Sequence, residues 1–139
     1  MAFDITKFAA ADTAVIKLMN GDDTPLLDDA GKRLTVTVYG PGSEQYAEAQ
    51  QRKQNRIVAR LRKKGKVDAS ATEIAAENAE FLAACTVSFD GWTYPPAGNV
   101  SQQEIFRAAY ADPKLGFIRD QVFAFIGEWE NFTGNSATS

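Results

Sequence analysis

Residues able to do chemistry are few in this 139-residue chain, and their spacing is as informative as their identity. Asn20-Gly21-Asp22-Asp23 followed by Asp28-Asp29 gathers carboxylates of the kind that bind magnesium or calcium through oxygen. The run lacks the alternating ligands and closing glutamate of a calcium loop, so an acidic solvated turn is the stronger reading. Gly40-Pro41-Gly42-Ser43 has glycines ahead of a helix, as a phosphate cradle would, but no lysine fills the place a P-loop demands. It reads as a strand-to-helix turn. The sequence contains no histidine, which removes the usual general base, proton shuttle and commonest metal ligand together. The single cysteine, Cys85, can close no intrachain disulfide and, without histidine, cannot build a tetrahedral zinc site. These absences predict a protein that works by binding and not as an enzyme, with no cofactor and no metal.

The charged residues offer the one feature suited to binding. Arg52, Lys53, Arg56, Arg60, Arg62, Lys63, Lys64 and Lys66 follow one another with no acid among them, while the rest of the chain holds seven bases against eighteen acids. Such a run fits three situations: a solvated helix end, a surface docking on an acidic protein or a second copy of the chain, or a grip on nucleic acid phosphates. Nucleic acid is the weakest of the three. The net charge is −3 and no aromatic is interleaved with the run. Arg52, Lys53, Arg56, Arg60, Arg62, Lys63 and Lys64 are therefore the candidate protein-binding residues. Their mutual repulsion calls for a compensating acidic surface, with a neighbouring copy or a partner protein as the candidate.

These residues must be positioned by an α+β, predominantly helical fold, a small antiparallel strand pair followed by about four helices. Residues 13–19 and 34–39 are β-branched and alternating, with Leu34, Val36 and Val38 on one face and Thr35, Thr37 and Tyr39 on the other. Residues 20–33 form a long connection whose apolar point is Leu26-Leu27. Ser43 is the expected N-cap of a first helix over 44–64, sparse in apolar residues (Tyr46, Ile57, Val58, Leu61) and so solvated or partner-facing along much of its length. Ser70-Ala-Thr-Glu73 reads as a capping box. The helix it opens carries Ile74, Phe81, Leu82, Cys85 and Phe89 on one core-facing stripe, until Gly91 and Pro95-Pro96 end it. Trp92 and Tyr94 are expected to lid the core. Ser101-Gln-Gln-Glu104 is a second box, opening a helix through about 111 with Ile105, Phe106, Ala109 and Tyr110 inward. Asp112-Pro113 restarts the chain for a fourth helix over about 113–131, whose stripe of Leu115, Ile118, Val122, Phe125, Ile126 and Trp129 faces the core.

Length and the 45% hydrophobic content suit one domain. The strand pair falls at 13–40, the helical part at 43–132 and a loose tail at 133–139. Residues 1–10 carry Asp4 and Lys7 among apolar residues and do not read as a signal peptide. No stretch of about 18 apolar residues suggests a membrane span, so a soluble, cytoplasmic protein is expected.

The order of features resembles the tail assembly chaperones of long-tailed, lambda-like bacteriophages. The resemblance rests on Val38-Tyr-Gly-Pro-Gly-Ser43, a Gln/Arg-rich helix with Asn55-Arg56, Phe81-Leu-Ala-Ala-Cys-Thr86 leading to Phe89-Asp-Gly-Trp92, then Tyr110-Ala-Asp-Pro113, Ile118-Arg-Asp-Gln-Val122 and Glu130-Asn-Phe132. It spans roughly residues 15–133. It implies a protein that coats the tape-measure protein and recruits tail-tube subunits (the major tail protein), acts in the host cytoplasm and is missing from the mature virion. Many members of that family also exist as a longer frameshifted product. The alternatives are a structural head-tail or tail component retained in the virion, and a small nucleic-acid-associated regulator.

Overall fold

A computed structural model describes residues 2–64 and 70–133, with the side chain of Lys64 excluded. Lys66 of the basic run and the tail beyond Thr133 lie outside the described residues.

The first strand, β1 (Thr13–Lys17), pairs antiparallel with β2 (Thr35–Tyr39), with Ala14 opposite Val38 and Ile16 opposite Val36. This alternation buries Ala14, Ile16, Val36 and Val38 on one face, as the β-branched pattern predicts. Leu34, expected among them, is only half buried. The long connection folds back on itself: Leu26 N–H donates to the Leu18 carbonyl at 3.1 Å, and Leu34 N–H to Leu26 at 2.9 Å.

Ser43 caps α1 (Glu44–Lys64), its hydroxyl accepting from Tyr46 N–H at 3.1 Å and donating to the Gly40 carbonyl at 2.7 Å. At Ser70 the capping box forms in both directions and starts α2 (Ala71–Ala84).

The expected continuation of α2 through Phe89 is corrected here. The helix stops at Ala84, and Thr86–Asp90 forms a third strand, β3, antiparallel to β2, in the sheet order β1-β2-β3. Phe89 lies four residues after Cys85 and so satisfies helical spacing. Thr-Val-Ser-Phe equally satisfies a strand, and the open edge of β2 supplies backbone partners that a longer helix would leave unpaired. Thr86 makes the change of direction inexpensive: its hydroxyl donates to the Leu82 carbonyl at 2.8 Å, satisfying a last-turn acceptor. Its oxygen lies 2.6 Å from the Tyr110 hydroxyl, within hydrogen-bond distance.

Ser101 caps α3 (Gln102–Ala111) through Glu104 N–H at 3.3 Å. The expected reciprocal half of that box is replaced by an ion pair of the Glu104 carboxylate with Arg107. Phe106, Ala109 and Tyr110 are buried as expected. Trp92 does lie over the core, its ring stacked on Phe89 at 3.9 Å and its Nε1–H donating to the Thr35 carbonyl at 2.9 Å. Tyr94 donates to Asp112, which holds that carboxyl below its usual range with help from the Lys114 N–H.

The fourth helix, α4 (Gly116–Ile126), is shorter than expected, with a 3-10 turn before it (Pro113–Leu115) and another after it (Trp129–Phe132). Ile118, Val122 and Ile126 are buried, but Trp129 is 55% exposed, which corrects its expected core position. Once α4 ends at Gly127 the residue spacing no longer follows the helical stripe, and Phe132 takes the buried place instead. Its ring occupies the space a Cβ would need at Gly40, and its carbonyl accepts from Ala11 N–H at 2.6 Å. Ile74, expected on the core stripe of α2, is 48% exposed. No helix among the described residues is long and apolar enough to cross a membrane.

Candidate protein-binding surface

The residues singled out for cation and phosphate chemistry serve their own backbone. Asp22 accepts from the Thr24 N–H and hydroxyl, and Asp28 from the N–H groups of Ala30 and Lys32. Gly40 N–H donates to the Asp12 carbonyl, so the glycine turn ties β2 to the start of β1. Cys85 is fully buried, and burial pushes its thiol up to about 12, against a smaller opposing effect of Arg52.

The basic run divides along α1. Arg56 lies 3.3 Å from Glu80, and Arg60 pairs with Glu77 and reaches Glu73 at 4.0 Å. The compensating acidic surface is thus, for these two cations, the adjacent helix α2 of the same chain. Arg60 and Glu77 are only 10% and 14% exposed in their side chains, so this pair is part of the α1–α2 packing. Lys53 places its ammonium 5.2 Å from the Phe81 ring centroid and 5.7 Å from that of Phe123, where cation–π attraction holds it. Arg52 reaches a groove of about 510 Å³ lined by α1, α2 and α3, in which Arg56–Glu80 and Arg107–Glu104 already pair. Arg62 and Lys63 are exposed at the end of α1.

Between these cations, Val58 and Leu61 are each 44% exposed, one helical turn apart. The sequence showed α1 to be poor in core residues, yet only the packing shows which apolar side chains are left outward. A second apolar surface lies on the neighbouring helices. The groove between α2 and α4, about 520 Å³, is lined by Ile74 and Phe123 with Ala71, Ala75 and Ala124. Ile74 satisfied the helical pattern of α2, whereas Phe123 lies off the apolar stripe of α4, an apolar surplus that reads first as a deeper core position and is 42% exposed instead.

Comparison of the chain with protein-family models, curated proteins and solved structures finds no match.

Proposed function

We propose that this chain is a protein-binding assembly factor of the phage tail chaperone type. In this reading the C-terminal half of α1 engages a helical, acidic-rimmed segment of a tape-measure or tail-tube protein. The carrying observation is the exposure of Val58 and Leu61 at i and i+3 beside the exposed Arg62 and Lys63. Two apolar anchors with a cationic border suit a partner helix. They suit a nucleic acid poorly, because Glu73, Glu77 and Glu80 stand beside the cations a phosphate would seek.

The residues that carry the resemblance to tail assembly chaperones are largely structural. Val38, Ser43, Leu82, Cys85, Tyr110, Val122 and Phe132 are all buried. That resemblance therefore supports a shared architecture, and the partner-binding role rests on the surface of α1.

Co-expression with the neighbouring tail genes and affinity capture tests the reading. Retention of tape-measure or tail-tube protein is expected, together with absence of this chain from purified virions. Its presence in virions would favour a structural component. Retention on filters of nucleic acid at moderate salt, with no protein captured, would favour a regulator.

A further inference from the structure

The groove between α1, α2 and α3 holds a cation that folding leaves without a counter-charge. The guanidinium groups of Arg52, Arg56 and Arg107 line it together with the carboxylates of Glu80 and Glu104. Arg56 pairs with Glu80 at 3.3 Å, and Arg107 pairs with Glu104. Arg52 makes neither a hydrogen bond nor an ion pair among the described residues. Glu48, one turn earlier on α1, lies outside this groove and does not pair with it either. Arg56 adds a second unused donor, since its Nε is buried and has no acceptor among the described residues. A donor stripped of water gains from any acceptor brought to it.

The groove continues past Arg52. It runs into a hollow of about 400 Å³ that shares Arg52, Ala84 and Gln103 with it and adds Tyr39, Gln45 and Gln102. The side chains of Gln45, Gln102 and Gln103 are exposed and form no hydrogen bond among the described residues. Each amide offers both donors and an acceptor, which suits a peptide backbone lying along the trench. Gln102 and Gln103 open α3, where the helix dipole favours an anion. On α1 the trench is lined by Gln45, Ala49, Arg52 and Arg56, a stripe along one face of the helix. At about 3.6 residues per turn, Val58 and Leu61 fall on the opposite face.

We propose that this trench binds an extended acidic peptide segment of a partner protein, with an aspartate or glutamate carboxylate held by Arg52. The two internal pairs cancel and leave one positive charge, which a single carboxylate matches; a phosphate dianion would carry an excess charge facing Glu80 and Glu104. A planar guanidinium also takes a carboxylate through two parallel N–H bonds. The site uses neither Val58 nor Leu61, so it does not rest on the reading above and stands if that reading fails.

Fluorescence anisotropy of a labelled, end-blocked Glu-Thr repeat octapeptide, titrated with the full chain, tests the proposal. Binding is expected, and it should weaken as salt rises from about 0.05 to 0.5 M. Arg52→Gln should weaken it by about tenfold or more, as loss of a charge-assisted pair would. Lys32→Gln removes the same charge from an exposed position outside the trench and should leave affinity within about twofold. Val58→Ser/Leu61→Ser, a neutral change on the opposite face, should bind the octapeptide as wild type does, which separates this site from the partner surface above. No binding by wild type, equal losses in Arg52→Gln and Lys32→Gln, a loss in Val58→Ser/Leu61→Ser as large as that in Arg52→Gln, or equal binding of the matching Gln-Thr octapeptide would each overturn the proposal. Displacement of the peptide by an equimolar amount of free glutarate or inorganic phosphate would overturn it as well, assigning the groove to a small anion.

Discussion

At Cys85 and Tyr110, burial sets two protonation states that pH can report. Burial raises the thiol of Cys85 from 9.0 to about 12 and raises the phenol of Tyr110 as well, although its hydrogen bond to Thr86 acts the other way. Both groups are neutral in the fold. Their contribution is complete below the unfolded values and is lost as pH rises towards the folded ones, because the unfolded chain releases its protons first. Urea unfolding at about pH 8 and pH 10.5 should show wild type losing about 2 kcal/mol more than Cys85→Ala, from the thiol alone. Equal losses would mean that the thiol is not held neutral. A second comparison concerns two aromatics three residues apart. Phe132 is fully buried and Trp129 mostly exposed, so Phe132→Ala should cost about 3–5 kcal/mol and Trp129→Ala roughly 1 kcal/mol. A reversal of that order in chemical denaturation would restore Trp129 to the core. The sequence could not separate them, because Trp129 continues the stripe of Ile118, Val122 and Ile126 on the assumption that the helix continues too.

Elements were legible in proportion to how local their causes are. Ser43, Ser70 and Ser101 mark their helix starts by a side chain reaching the backbone N–H three residues on, and all three caps form. Ser70→Ala and Ser101→Ala should each lower stability by about 1 kcal/mol, with the larger loss at Ser70, whose hydroxyl also donates to the Glu73 carboxylate at 3.2 Å. Two unchanged thermal transitions would refute the assignment. The strand β3 was hidden because its formation depends on an edge about fifty residues earlier in the chain, and Cys85 and Phe89 fit a helix equally well. Charge compensation was hidden for the same reason: Arg60 and Glu77 are 17 residues apart in sequence and meet only when α1 packs on α2. Arg60→Ala should therefore cost about 3 kcal/mol, as expected for removing one partner of a largely buried pair. Arg56→Ala should cost under about 1 kcal/mol, since Glu80 is 53% exposed. Equal small effects in urea titrations would show the α1–α2 pairs to be solvated. Gln121 is a further tie that sequence pattern could not show. Its amide donates to the Met19 carbonyl and accepts from the Met19 N–H, both at 2.8 Å, fastening α4 beside the end of β1.

For the whole molecule, the net charge of −3 conceals a cationic helix set against an acidic remainder. Folding neutralises its middle through α2 and leaves Arg62 and Lys63 outward beside Val58 and Leu61. A surface so divided should bind acidic, helical protein segments and lose affinity with salt only in part, because the apolar anchors are not screened. Calorimetric titration of tape-measure segments into wild type and into Val58→Asp/Leu61→Asp tests the central claim. Wild type should bind, and the double variant should bind about 100-fold more weakly or worse, as removing two apolar anchors of an interface would give; undiminished binding by the variant, with its fold intact, would contradict a binding role for these two side chains.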